Sequence, residues 1–247
     1  MPMNETDKAR AQYLSKAMDS VWNIASDFER SINPDSKPDP APDLSKTAQV
    51  IASEKSLDPE ISRCNLSMLS ELCSKCEKCQ LSKTRTHVVF GTGSTSPLVM
   101  VIGEGPGFNE DQEGIPFVGQ AGRFLDKWLE SIHLSRDENA YICNVIKCRP
   151  PENRDPMDEE IEACQDYLIQ QINLLKPKAI LGLGRFACQF LFGSDSKITK
   201  VHGLLKMYRG IPAICTFHPA AVLRNLDLKR PVWSDLKKLA AFLGIPV

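Results

Sequence analysis

The residues best equipped for chemistry lie in one stretch, Gly103 to Gly122, GEGPGFNEDQEGIPFVGQAG. It follows the apolar run Leu98-Val-Met-Val-Ile102, which reads as a short strand buried on both faces. Gly103, Gly105 and Gly107 let the backbone turn sharply and come close to a ligand. The carboxylates Glu104, Glu110 and Asp111 then fall where the sheet opens, and open α/β folds bind ligands in the crevice outside the carboxyl ends of their strands. Phe117 follows a proline in a glycine-flanked loop. That placement suits stacking on a flat ring better than packing in a core, with simple plugging of the loop as the plainer alternative. The glycines are spaced G-x-G-x-G rather than G-x-G-x-x-G, and a long acidic loop follows, which disfavours a dinucleotide pyrophosphate on a helix N-terminus.

Thiols form the second constellation. Cys76-Glu-Lys-Cys79 is a C-x-x-C pair in a polar segment, and Cys73 extends it to C-x-x-C-x-x-C. Cys148, in Lys147-Cys-Arg-Pro-Pro151, and Cys164 supply two more thiols that could close a four-ligand site. Thiolate quartets select zinc or an iron-sulfur cluster, and spacing alone does not separate the two. Cys143, Cys188 and Cys215 sit in apolar contexts and read as small core hydrophobes, Cys64 reads as uninvolved, and Cys73 stays open as a competing ligand.

Elements must hold these groups in place. From Leu98 onward the pattern alternates strand and helix, with strands expected at 98–103, 140–146, 179–183 and 211–217. Helices fill 119–132, 157–175, 184–193 and 231–243, and Phe124, Leu125, Trp128, Leu129 and Ile132 give the first of them an apolar face, with Trp128 in the core. The fold class is therefore α/β, a three-layer α/β/α sandwich around a central, mostly parallel four-stranded sheet, preceded by an N-terminal helical arm. Residues 4–31 suit an amphipathic helix, the four prolines of 33–42 suit an extended linker, and a further helical pattern spans 56–76. This divides the chain into an arm with its linker at 1–42, a helical lead-in at 43–72 and a main domain at 73–247.

Composition narrows the class. The 247 residues are 42% hydrophobic, enough for a full core, and carry a formal charge of -1. That charge is uneven, with 8 basic and 12 acidic side chains in residues 1–72 against 22 and 19 in residues 73–247. A local basic stripe can bind phosphates even in a near-neutral protein. Nine cysteines, an odd count with no early apolar run resembling a secretory signal, argue for free thiols or metal ligands rather than a disulfide framework. No stretch approaches the ~20 apolar residues of a membrane span, so a cytoplasmic protein without membrane association is expected.

With these features assembled, the region from about Cys73 onward resembles the family 4 uracil-DNA glycosylases, the iron-sulfur branch of the uracil glycosylase superfamily. The matching pieces are CEKCQLSKTRTHVVFGTG at 76–93, GEGPGFNED at 103–111, GIPFVGQAG at 114–122, NVIKCRPPENR at 144–154 and FHPAAVLRN at 217–225. Five motifs in the right order are far more specific than any one alone.

The resemblance implies a DNA repair glycosylase that flips uracil out of DNA and hydrolyses its N-glycosidic bond. It further implies a structural [4Fe-4S] cluster on Cys76, Cys79, Cys148 and Cys164, with Cys73 as a spare. Phe117 would stack on the base, Gly105 would lie close to it, and the Asn144 amide would read the edge bearing the ring N-H and 4-carbonyl. His218 would donate to the 2-carbonyl oxygen, Glu104 would face the sugar and orient water, and Asn153 would be a second water-positioning group. Glu110 would exclude thymine. Leu223 and Arg224 would enter the gap left by the base, and Lys147, Arg149 and Arg154 would approach the DNA backbone, with Lys83, Arg85 and Lys200 as further contacts. A monomer acting on uracil-containing DNA is expected, with the arm free to recruit a replication or repair partner.

The chain also departs from the family pattern. Phe108-Asn109 stands where two acidic residues are usual, and Ala220-Ala221 replaces the usual Ser-Tyr. The segment Arg224-Asn-Leu-Asp-Leu-Lys229 lacks the reactive histidine of a covalent branch, which disfavours covalent capture of DNA. The rival class is a non-catalytic zinc- or iron-sulfur-bearing nucleic-acid-binding module of the same fold, and a nucleotide-binding oxidoreductase is a weaker third.

Overall fold

The computed structural model describes residues 49–50 and 57–247. The chain divides into two units, Met1–Ala41 and Pro42–Val247, and every described residue belongs to the second. The helix expected at 4–31 and the linker at 33–42 lie outside the described residues.

In chain order the strands are β1 (Gln49–Val50), β2 (Thr92–Gly93), β3 (Val99–Gly103), β4 (Ala140–Asn144), β5 (Ala179–Leu183), β6 (Leu205–Tyr208) and β7 (Ile211–Thr216). The helices are α1 (Pro59–Ser62), α2 (Leu66–Ser74), α3 (Phe108–Glu113), α4 (Gln120–Ser131), α5 (Asp158–Leu175), α6 (Gly184–Phe192), α7 (Ile198–Val201), α8 (Pro219–Arg224) and α9 (Lys229–Leu243). The sheet runs β1-β6-β7-β5-β3-β4-β2. Its centre, β7-β5-β3-β4, is the four-stranded parallel sheet expected from the sequence.

Three further strands widen that sheet. β2 pairs antiparallel with β4, β6 antiparallel with β7, and β1 parallel with β6. Two-residue strands carry no periodicity to read, and β6 is only half-buried, so its pattern is weak. One signal for β6 was present. Arg209-Gly210 joins it to β7 with both residues at positive φ, the geometry of a tight hairpin turn.

The central strands β3, β4 and β5 are buried along their whole length, as strands covered on both faces must be. One face, with Met100, Ile102, Tyr141, Cys143 and Ile180, packs on Leu168 and Ile172 of α5 and Leu191 of α6. The alternate residues Val99, Val101, Ile142 and Ile214 are buried toward the opposite face, where α9 packs on β5 and β7. Trp128 is fully buried, as its helical spacing predicts.

The lead-in helix is broken in two. Asn65 accepts the Met68 N–H at 2.9 Å and so starts a new helix where a continuous one was expected. Ile61 and Leu69 are then completely buried against Tyr167 of α5, each worth roughly 2 kcal/mol of hydrophobic stabilisation, which fastens α1 and α2 to the sheet domain. Among the described residues no helix is long and apolar enough to cross a membrane.

Candidate active site and thiol pocket

Register brings the first site residues together. Gly103, the last residue of β3, pairs with Asn144, the last residue of β4. Two more main-chain bonds continue past the strands, Val145 N–H to Gly103 O at 3.0 Å and Ile146 N–H to Glu104 O at 3.1 Å, which hold Glu104 beside Asn144. A Cβ on Gly103 would collide with Asn144 Oδ1 and come within 2.6 Å of Phe117 Cζ, so glycine is what lets amide and ring share this space. Asn144 is 1% exposed, and its Oδ1 is buried without a hydrogen-bond partner.

Phe117 is buried and sits at φ 56°, a left-handed conformation that its neighbours enforce. Arg136, paired with Asp126 at 2.7 Å, donates to the carbonyls of Pro116 at 3.1 Å and Phe117 at 3.0 Å. Any side chain at Gly122 of α4 would overlap the Phe117 carbonyl, so that glycine lets the helix seat beneath the loop. The Phe117 ring lies 5.6 Å from the His218 ring, tilted by 32°.

His218 follows β7 and caps α8, its Nδ1 accepting the Ala220 N–H at 3.2 Å. Burial, with Arg224 nearby, drops its pKa to about 4 against a weaker opposing pull from Glu110, so the imidazole is neutral near pH 7. Glu104 goes the other way. Burial, then repulsion from Asp155, raises its carboxyl above the usual range, while Arg185 and Arg224 pull it back.

Glu110 has both oxygens engaged by main-chain donors. Oε1 accepts from Val118 and Gly119, each at 3.0 Å, and Oε2 from Gly107 at 3.1 Å. This ties the glycine turn to the Phe117 loop and immobilises the carboxylate near His218. Asp111, also read as a site carboxylate, is 2% exposed and accepts the Thr86 N–H at 2.9 Å, a brace for the segment before β2.

The expected DNA contacts separate into free and engaged groups. Leu223 is half-buried and Arg224 exposed at the end of α8. Arg149 donates to Asn153 Oδ1 at 2.8 Å, and its guanidinium stands 5.2 Å from the ring of Phe108, which is 57% exposed. Asn153 is exposed at φ 55°. Arg154 instead grips the buried Glu160 with bonds of 2.9 and 2.6 Å at the start of α5. Arg85 points inward, donating to Cys76 O at 2.8 Å and Cys148 Sγ at 3.4 Å.

Lys147 differs most from expectation. Read from the sequence as a DNA contact, it is 1% exposed and donates from Nζ to Asn144 O at 2.8 Å. An ammonium this deeply enclosed cannot reach a phosphate backbone. Sequence reasoning also missed Arg136 and the 2.6 Å Asp155–Arg185 pair, because nothing along the chain links these residues to the loops they meet.

The thiols meet elsewhere. Cys73, Cys76, Cys79, Cys148 and Cys164 line one pocket, with Arg85, Lys147 and Tyr167 around them. The α2 helix and the turn after it bring the first three, the loop after β4 brings Cys148, and α5 brings Cys164. Burial pushes the Cys164 thiol up to about 12 and raises Cys73, Cys79 and Cys148 as well. Ionising thiols so buried would require a metal to take up the charge. Two N–H groups already point at sulfur, the Lys147 amide at Cys164 Sγ, 3.3 Å, and Arg85 at Cys148. Among the described residues no three His, Cys, Asp or Glu side chains converge on a single-ion position. Thiols are the donor type that zinc and iron-sulfur clusters both take.

Fold and pocket define a class. The family model described as the uracil DNA glycosylase superfamily matches residues 90–237. A type-4 uracil-DNA glycosylase of Archaeoglobus fulgidus is 44% identical over 177 residues, covering 68% of this chain and 88% of that protein. Its counterpart in Thermotoga maritima is 42% identical over 182 residues, covering 72% and 94%. A type-5 uracil-DNA glycosylase of Pyrobaculum aerophilum is more distant, 29% identical over 150 residues. The chain belongs to the type-4 uracil-DNA glycosylases.

Proposed function

We propose that this chain is a DNA repair glycosylase that extrudes uracil from DNA, hydrolyses its N-glycosidic bond and leaves an abasic site. The observation that carries this reading is the buried, unpartnered Oδ1 of Asn144 beside the Phe117 ring. An orphaned buried acceptor costs about 1–3 kcal/mol, and a ligand that donates to it recovers that cost. The ring N–H of uracil is such a donor, and the amide nitrogen of the same side chain matches the 4-carbonyl. Cytosine presents the opposite pattern on both positions, so the same amide disfavours it.

Extruding the nucleotide costs a few kcal/mol, less from a U·G mismatch or a single strand. Stacking on Phe117 returns about 1–3 kcal/mol. Leu223 fills the vacated space, and Arg149 and Arg224 hold phosphates. Glu110, immobilised by its three amide donors, forms a fixed wall against the methyl group of thymine.

Bond breaking moves negative charge onto the departing uracil and positive charge onto the sugar. With Nδ1 occupied as an acceptor, neutral His218 carries its proton on Nε2 and donates it as a hydrogen bond to the 2-carbonyl oxygen. Glu104, ionised, faces the positive sugar and orients the attacking water, with Asn153 as a second polar group for that water.

Cys76, Cys79, Cys148 and Cys164 hold a [4Fe-4S] cluster in this reading, with Cys73 as the fifth, spare thiol. The cluster supplies no reaction chemistry; it ties α2, the loop after β4 and α5 into one rigid support. The deciding experiment offers the iron-loaded protein U·G, U·A and T·G duplexes and a uracil-containing single strand, and measures free base. Release of uracil but not thymine is expected, and silence on every uracil substrate overturns the proposal.

A further inference from the structure

Lys147 joins the two sites. Its main-chain N–H donates to Cys164 Sγ at 3.3 Å, the residue lines the thiol pocket, and its Nζ donates to the main-chain carbonyl of Asn144 at 2.8 Å. The residue is 1% exposed, and a buried ammonium is costly unless its surroundings compensate it. The compensation at hand is the Asn144 carbonyl, which accepts from the ammonium at 2.8 Å.

The carbonyl it holds is a critical one. Asn144 is the last residue of β4, and the main-chain bonds of Val145 and Ile146 to Gly103 and Glu104 carry the pairing just beyond it, so its carbonyl sits where the sheet passes into the site loops. The side-chain Oδ1 has no partner of its own, so no hydrogen bond to that oxygen sets the aim of the amide, and it shares with the Phe117 ring the space left open by Gly103. The position of the backbone then bears on that aim. A charged donor on the carbonyl of the same residue is stronger and shorter than a neutral one and resists rotation of the strand end.

We infer that Lys147 is a positioning residue for base recognition: with its main chain held beside Cys164, its ammonium pins the Asn144 main chain and so keeps the Asn144 amide turned toward the bound base. The inference rests on the proposed reading of Asn144 and assigns it a support. Correct placement of a reading group is worth as much as its presence, because a displacement of about 1 Å can cost on the order of a hundredfold in rate.

The test is a double-mutant cycle on the iron-loaded protein, with Lys147→Met, Lys147→Arg, Asn144→Ala and the Lys147→Met/Asn144→Ala pair. Single-turnover uracil release, iron content and affinity for a uracil-free duplex are measured for each. Lys147→Met is expected to keep its iron and its affinity for plain duplex while losing about tenfold or more in rate, and Lys147→Arg to recover most of that loss. In the Asn144→Ala background the methionine change is expected to cost less than about twofold, because the two residues act as one unit.

Fully additive losses overturn the inference, as does a wild-type rate in Lys147→Met. Loss of iron from Lys147→Met also overturns it, by showing that the lysine serves the thiol pocket alone. A wild-type protein that releases no uracil removes the functional reading and this inference with it, an outcome distinct from an active wild type with an equally active variant.

Discussion

The Nδ1 of His218 accepts the main-chain N–H of Ala220 at 3.2 Å, and this bond decides which ring nitrogen carries the proton. The donor is a backbone group. Replacement of the usual Ser-Tyr by Ala220-Ala221 therefore leaves the tautomer intact. Burial keeps the ring neutral, so Nε2–H is available as a donor throughout the neutral range.

His218→Ala is expected to fold and hold its iron, yet to release uracil on the order of a hundredfold more slowly in single-turnover assays. Affinity for duplex without uracil is expected to change little. A rate within a few-fold of wild type in the variant removes the histidine from the chemistry.

In the proposed reading Glu104 governs the acid side of the pH profile. Its folded pKa lies above the ordinary 4.5, through burial first and Asp155 second, and the carboxylate is the form proposed to act. Activity is then complete well above that raised value and declines as pH falls through it, before His218 gains its proton at about 4. Glu104→Gln is expected to lower the rate at pH 7 and to abolish this first limb. Single-turnover rates measured across the acid range decide the matter, and an unchanged limb in the variant shows that another group titrates there.

Thiol substitutions separate ligands from the spare. Cys148→Ser and Cys164→Ser are expected to lose iron, visible absorption and solubility together, because in the proposed reading the cluster links the turn after α2, the loop after β4 and α5. Cys73→Ser is expected to retain the full iron content. Iron analysis of anaerobically purified variants provides the check, and a fully loaded Cys148→Ser protein rejects that assignment.

Gly122→Ala places a methyl group on the Phe117 carbonyl, so either α4 or the loop must shift. Overpacking of this kind costs about 1–3 kcal/mol, and here the displaced group is the main chain that carries the Phe117 ring. A lowered Tm is expected together with a rate loss of about tenfold or more. Arg136→Met, which frees the same loop from the other side, is expected to reproduce the rate loss with a smaller effect on Tm.

Local signals carried a large part of this protein. The apolar runs at 98–102 and 179–183 read as strands covered on both faces, as they are, and the helical spacing of Phe124, Trp128 and Leu129 placed Trp128 in the core. Glycines and carboxylates after the first strand marked the edge where a ligand is expected, since strand ends of a parallel sheet open there whatever the loops do. The C-x-x-C pair announced a thiol site for the same local reason.

Other features depend on contacts between distant segments. β6 and the two-residue strands exist only because a longer neighbour offers its edge, and no periodicity in so few residues announces that. The roles of charged residues were the least legible. Lys147, Arg85 and Arg154 look alike in the chain as basic residues near a DNA-binding motif, yet each turns inward to a carbonyl, a sulfur or a buried carboxylate. Side-chain type states what a group can donate, whereas burial and partner follow from which segments the sheet brings together, and that is a property of the folded chain alone.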